Sequence, residues 1–289
     1  MTTRQVNMAP SICKICGSKS LAIRKETARC TACGVLLFYP YPDEKELFNS
    51  WAHMDAVGSA AWYGKSAWYN HTNFTRMLRF AADNWHAGRR VRFLDYGCGG
   101  GQFALVAKSH FPFSQVFCTD ASDSAVLPEW RCLQTQIRFS EFQQNEIRFD
   151  LIFLNDVFEH VSGPIELLRL LASKLEPNGK IFIDTPKSFW LYPATRILSP
   201  TLHDKLLHGT LSLAHLQIWS PRAFKTAVCK AGLKICKYKE INEYTMPAAY
   251  YLDNMRISNQ LVRLAGFAFY RLAKSLARNK IMALVSRQL

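Results

Sequence analysis

The chain has 289 residues, 49% hydrophobic and 13% aromatic, enough apolar material for one large core or a large domain with an appendage, and too much for a disordered basic tail. Its 36 Lys and Arg against 22 Asp and Glu leave a charge of +14, which favours an anionic surface, nucleic acid or acidic metabolite as partner and says nothing of fold. The start, MTTRQVNMAPSICKICG, lacks the apolar stretch of a signal peptide and no later segment reaches the roughly 18 apolar residues of a membrane span, so a cytoplasmic protein is expected, its nine cysteines serving as thiols or metal ligands before disulfides.

Cys13 and Cys16 form CKIC, Cys30 and Cys33 form CTAC, thirteen residues separate the pairs, and Gly17 or Gly34 follows each. Four thiolates in two such knuckles make a closed tetrahedral zinc site, and a segment this small has too little core to stand without a staple. Neither pair lies in a strand-to-helix context suited to a redox CxxC, and a closed site leaves no position for substrate, so the expected Zn2+ is structural. Residues 1–45 are read as this ribbon. After it, VLLFYPYPDEKELF gives an extended run, a turn from Pro40 to Pro42 and Asp43 as a cap. The aromatic-rich stretch from Trp51 to Trp85 then predicts a helical linker over 46–90, packed on the main sheet or covering its cleft.

From Arg92 strand and helix alternate. VRFLDYG reads as a strand, GQFALVAKSHF as a helix, QVFCTDAS as a strand, and a shorter strand falls near Ile137. FDLIFLNDV, PIELLRLLASKLEP and GKIFIDTP continue as strand, amphipathic helix and strand. Short buried runs joined by helices give an α/β fold with a mostly parallel sheet, helices on both faces, and ligands beyond the carboxyl ends of the strands. The loop after the first strand, DYGCGGGQF, carries Gly97, Gly99, Gly100 and Gly101, which let backbone approach a ligand closely. A dinucleotide reading gains from Asp120, 21 residues beyond Gly99, as a ribose ligand. It loses where Gln102 replaces the third glycine of GxGxxG and where Asp95 would face a pyrophosphate. A cationic adenosine ligand reverses that sign.

DYGCGGG resembles the first motif of class I S-adenosylmethionine-dependent methyltransferases, a pattern close to (D/E)xGxGxG, and the resemblance runs from about Arg92 to Ile235. It implies a Rossmann-like class I methyltransferase domain over 91–245, with S-adenosylmethionine as cofactor. By that resemblance Asp120, with Ala121 beside it, matches the acid that accepts hydrogen bonds from the ribose hydroxyls. Asp95, Gly97, Cys98, Gly99 and Gly101 lie by the methionine end, and Asn155 and Asp156 of LNDVFEH pass beneath the cofactor; Ser140, Glu141 and Phe142, in the weak third-strand region, are placed beside adenine by position alone. The Glu159 and His160 pair and LLASKLEPNGKIFIDTP match the family's next helix and fifth strand, and HLQIWSPRAFKTAVCKAGLKI is similar to a late segment of a subgroup acting on small molecules. The motif CxxC...CxxCGVLLFYPYPD resembles the ribbon of some bacterial methyltransferases of sugar, antibiotic and other secondary-metabolite pathways. Members acting at carbon of deoxysugars carry further Tyr and His motifs that are not found here.

An alcohol acceptor must lose a proton near attack, and histidine titrates close to neutrality. His215, after a loop-rich substrate insertion around 186–215, is the leading candidate for the base; His160 is the second, with the start of a helix as its structural reading. His203 and His208 border substrate or a helix surface. The expected reaction is methyl transfer, foremost to oxygen, of a small or lipid-linked metabolite. RNA methylation and a non-catalytic binding role are the alternatives; the lack of an evident RNA-recognition module ranks nucleic acid below a small molecule as partner. After Asp253 the basic residues Arg256, Arg263, Arg271, Lys274, Arg278, Lys280 and Arg287 are interspersed with apolar ones at roughly helical spacing. They predict a basic helical segment over 246–289, packed on the domain or laid against the anionic inner face of a membrane.

Overall fold

The alternation of apolar side chains along the central strands decides which core each one joins. The computed structural model describes residues 12–24, 27–42, 71–122, 125–188, 215–242, 249, 260–276 and 278–288. In β4 (Arg92–Tyr96), Phe93 points to one face and Leu94 to the other; Leu151 and Ile152 divide likewise in β7 (Phe149–Asn155), as do Phe182 and Ile183 in β8 (Leu175–Pro186). Met77 and Leu78 of α1 (71–82) and Phe103 and Val106 of α2 (Phe103–His110) cover the first face. After the short α3 (Phe139–Phe142), α4 (Pro164–Ser173) and α5 (Pro221–Lys230) cover the second through Leu168, Leu171, Phe224 and Val228. A sheet buried on both faces explains the nearly unbroken apolar runs in the sequence.

The seven-stranded sheet has the order β10-β11-β8-β7-β4-β5-β6, with β5 at Gln115–Thr119, β6 at Thr135–Gln136, β10 at Leu233–Ile241 and β11 at Lys280–Arg287. The five strands from β8 to β6 pair in parallel, and β11 runs antiparallel to both β8 and β10. The parallel α/β sheet with helices on both faces therefore stands as the sequence implies.

The carboxyl-terminal segment requires a correction. Helix α6 (Gln260–Leu276) occupies part of 246–289, but Lys280–Arg287 is a strand inside the sheet, not more of a helical tail. The run Ile281 to Val285 is at most 2% exposed. Hydrogen-bonded neighbours on both sides, with Ile281 opposite Thr185 and Ala283 opposite Ile183 and Tyr238, offer this run more than a surface helix would.

The ribbon is a small sheet of β1 (Leu21–Arg24), β2 (Thr27–Cys30) and β3 (Leu36–Phe38), completed by β9 (Gln217–Ile218) from the far end of the main domain. Its buried Ile15 and Val35 continue the core formed by α4 and α5. The linker from 46 to 70, the ribbon's last residues 43–45 and the insertion at 189–214, with His203 and His208, lie outside the described residues, while the rest of the linker, 71–90, carries α1.

Candidate functional site

The glycine loop follows β4 and is held from below by the end of β5. The amides of Gly97 and Cys98 donate to the Thr119 carbonyl at 2.8 and 3.2 Å, while that of Gly99 donates to Asp120 Oδ2 at 2.9 Å. Asp120 Oδ1 accepts from the Ser122 amide at 3.0 Å, which fixes the carboxylate beside the loop. Gly97 has φ +74°, and a Cβ there would stand 2.5 Å from Val157 Cγ2, so glycine is required both by the backbone and by the turn that presses on it. The sequence run thus forms a backbone cradle whose floor is the turn after β7.

Asp95 is 5% exposed; burial and the neighbouring Asp120 charge push its carboxyl up to about 7. Burial also raises Asp120, against the hydrogen bonds of the Ser122, Gly99 and Ala121 amides. A buried acid and a half-buried one beside a glycine loop suit a ligand with a cationic centre and hydroxyl groups, which fits S-adenosylmethionine and is poor for a pyrophosphate. Cys98 is a buried thiol raised by its hydrogen bond with Cys118 and by burial, a packed small side chain and no nucleophile. Ala121 is half-buried at the strand end. Phe142 is buried, with its ring edge-on to Tyr96 at 5.3 Å, whereas Glu141 stands out 62% exposed, paired with Arg138 at 3.5 Å. The structure therefore brings Phe142, and not the Glu141 carboxylate, into the packing beside β4.

The end of β7 gathers the other candidates. Asn155 closes the strand with a buried Oδ1 that has no hydrogen-bond partner. Asp156 adopts φ +51°, an uncommon conformation for a non-glycine residue that aspartate tolerates better than most. Its Oδ1 receives the Lys280 ammonium at 2.6 Å, and Lys280 also donates to Asp184 Oδ2 at 2.9 Å. Burial works against ionisation of Asp156, but the Lys280 charge and hydrogen bond, with His160 and His215 nearby, hold its carboxyl below the usual range.

Residues 158–160 form a turn, and α4 begins only at Pro164, so Glu159 and His160 do not start the next helix. Proline suits the first helical position, and the chain must turn after β7 before reaching it. Phe158 stacks on Trp219 with ring centroids 4.5 Å apart, and the Gln217 amide group donates to the carbonyls of Phe158 and Val161 at 2.7 and 3.0 Å. The backbone amide of Leu216 donates to the Glu159 carbonyl at 2.9 Å. These ties bring His215 onto His160, rings stacked with centroids 4.8 Å apart, although 55 residues separate them in sequence. Glu159 is wholly buried, accepts from Thr185 Oγ1 at 2.8 Å, and is pushed up to about 7 by burial and the Asp156 charge. Asp184 and Gln217 were not singled out in the sequence, and Lys280 stood there only among the basic residues of the tail; a lysine opening an apolar run was the clue to its role.

The ribbon grips the same segment. Leu36 and Leu37 pair with Ile218 and Gln217, and the Phe38 amide donates to the Leu216 carbonyl at 2.8 Å. In the four-cysteine set the Cys13 and Cys33 sulfurs are 3.7 Å apart and those of Cys16 and Cys30 3.5 Å, all four lying within 4.8 Å. A tetrahedral zinc with Zn–S bonds of about 2.3 Å needs sulfurs about 3.8 Å apart. The residues fit the ion, and the hydrogen bond with Cys33 already brings Cys13 down to about 5 against the effect of burial. The cluster is a closed structural zinc site whose sheet is completed by the strand next to His215.

The model of a family described as "Methyltransferase domain" matches residues 67–238. Ubiquinone biosynthesis O-methyltransferase from Coxiella burnetii (strain RSA 493 / Nine Mile phase I) is 29% identical over 126 residues, a match covering 40% of this chain and 53% of that protein. The chain therefore spans about half the length of that relative. Trans-aconitate 2-methyltransferase from Escherichia coli (strain 55989 / EAEC) is 24% identical over 162 residues, 53% of this chain and 61% of that one. Among solved structures, coclaurine N-methyltransferase bound to N-methylheliamine and S-adenosylhomocysteine superposes with a TM-score of 0.51 at 14% identity, covering 75% of this chain and 72% of that one; the likeness is one of fold.

Proposed function

We propose, for a chain that belongs to the methyltransferase-domain family, that it transfers a methyl group from S-adenosylmethionine to an oxygen of a small, lipid-linked metabolite. The observation carrying this reading is the stacked pair of His160 and His215 beside Asp156, at the carboxyl end of the strand next to the glycine loop. The bound cofactor supplies an electrophilic methyl on a sulfonium. Asp95 and Asp120 would hold its charged and hydroxyl-bearing ends, and the glycine loop would let it approach the backbone closely. The imidazole pair would promote loss of the acceptor's proton, leaving the oxygen free to take the methyl group as its bond to sulfur breaks.

Oxygen is favoured over nitrogen by the imidazole pair, which gives an acceptor hydroxyl a route for its proton, and by the relatives named as O-methyltransferases. A lipid-linked acceptor is favoured by α6, where Leu261, Leu264 and Phe267 stand 78%, 68% and 39% exposed on an amphipathic helix that also carries Arg263 and Arg271. Among the described residues no helix is long and apolar enough to cross a membrane, so α6 would lie on a surface and not span it. The test is mass spectrometry of aqueous and lipid extracts incubated with the protein and methyl-labelled cofactor. Label in an ether or ester of a lipid-soluble product is expected; label confined to amines or RNA, or no transfer at all, would overturn the reading.

A further inference from the structure

We propose that Glu159, His160 and His215 form a second metal site, distinct from the zinc ribbon, which holds a divalent transition-metal cation such as Mn2+ against the acceptor oxygen. The inference rests on the methyl-transfer reading only for what the cation does, and not for where it binds. Each of the three residues offers one ligand atom, and these atoms all lie within 4.8 Å of one another. Bonds of about 2.0–2.2 Å to imidazole nitrogen and carboxylate oxygen require ligand atoms roughly 3–3.5 Å apart. His160 Nε2 and Glu159 Oε1 already stand at 3.8 Å, so small side-chain rotations close the site.

A second observation points to a ligand. Glu159 is wholly buried, one oxygen is occupied by Thr185, and the other, Oε1, has no hydrogen-bond partner and is the oxygen nearest the imidazole of His160. Leaving a carboxylate oxygen buried and unpaired is costly, and a cation there would remove that cost. The charge around it agrees. The carboxylates of Asp156, Glu159 and Asp184 gather at the ends of β7 and β8, and the Lys280 ammonium among them is engaged by Asp156 and Asp184. A dication on the remaining carboxylate balances the group.

The donor set is two imidazoles and one carboxylate, unlike the closed thiolate set of the ribbon. Such sets suit transition metals over Ca2+ or Mg2+ and leave coordination positions open. An acceptor hydroxyl entering an open position would lose its proton to solvent more readily, and His160 and His215 would then act as ligands and not as proton acceptors. The predicted acceptor class is accordingly an alcohol or phenol, not an amine. The backbone ties from Leu216 and Gln217 to residues 158–161 give the site the rigidity a metal centre needs.

The test is titration of the full-length, zinc-loaded protein with Mn2+, followed by electron paramagnetic resonance. The four thiolates retain zinc, so the probe reports the second site alone. One tightly held Mn2+ per chain is expected, with affinity reduced at least tenfold in His215→Ala and in Glu159→Gln, the latter keeping an acceptor for the Thr185 hydroxyl. Calorimetry of S-adenosylmethionine on both variants should stay within about twofold of the parent, which shows that the fold and cradle survive. No Mn2+ binding by the parent protein, or binding that persists unchanged in both variants, overturns the proposal. Site-dependent Mn2+ binding without any methylated product would support the metal site while refuting the transfer reading, whereas product without Mn2+ binding would do the reverse.

Discussion

Replacing Lys280 by methionine tests whether the sheet insertion of β11 and the chemistry at the end of β7 are one structure. Methionine keeps most of the stem volume and removes the charge that joins Asp156 and Asp184. Lys280 is 8% exposed and Asp184 0%, so the loss leaves a buried carboxylate without its cation. Breaking such a pair costs about 3–5 kcal/mol. Asp156, with 41% of its side chain exposed, adds little because water screens it. Urea unfolding of parent and variant at pH 7 measures the difference, and adding Asp184→Asn should recover more than half of the loss. A loss below about 1 kcal/mol at pH 7, or no recovery in the double variant, would refute the assignment of Lys280 as a buried charge bridge.

Asp95, raised to about 7 by burial and Asp120, should make cofactor affinity rise between pH 6 and 8 as its ionisation offers a cationic ligand a counter-charge. The same shift makes Asp95 a burden on the ligand-free fold as pH climbs from about 4 toward 7. Calorimetry should show the rise in the parent protein and a flat profile in Asp95→Asn; identical profiles would remove Asp95 from the cradle. Stripping zinc, checked by metal analysis, should speed amide exchange at residues 216–218 and not only within the ribbon, because β9 is held by β3. Exchange confined to residues 12–42 would show that the ribbon does not position the His215 segment.

How much of this was legible in the sequence depends on how far each signal travels along the chain. The glycine loop, Asp120 and the two CxxC pairs are local, and spacing alone brings their backbone or sulfur atoms together. The strands of the parallel core announced themselves by apolar runs too short for helices. β11 did not, since IMALV follows the amphipathic pattern of α6 and only the vacant edges of β8 and β10 decide that it becomes a strand. A two-residue strand such as β9 carries no periodicity at all. Glu159 was visible as half of a motif, but its burial against Thr185 depends on a residue 26 positions away.

The positive charge of the carboxyl-terminal segment serves two purposes that its composition does not separate. Arg263 and Arg271 belong to α6, where exposed apolar side chains make a surface role plausible on physical grounds. Lys280 belongs to the sheet. It enters at the point where β11 passes between two strands, so the residue read as part of a basic tail becomes the ammonium that offsets the acids next to the glycine loop. Removing everything after Asp253 would therefore destroy a strand paired on both sides and its charge bridge along with any membrane contact. The surface role of α6 has to be tested by substitutions such as Leu261→Glu and Leu264→Glu, which leave β11 in place. Lost association with anionic vesicles, together with unchanged unfolding, is the result expected if α6 is the membrane-facing element; retained association would leave the lipid-linked reading without that support.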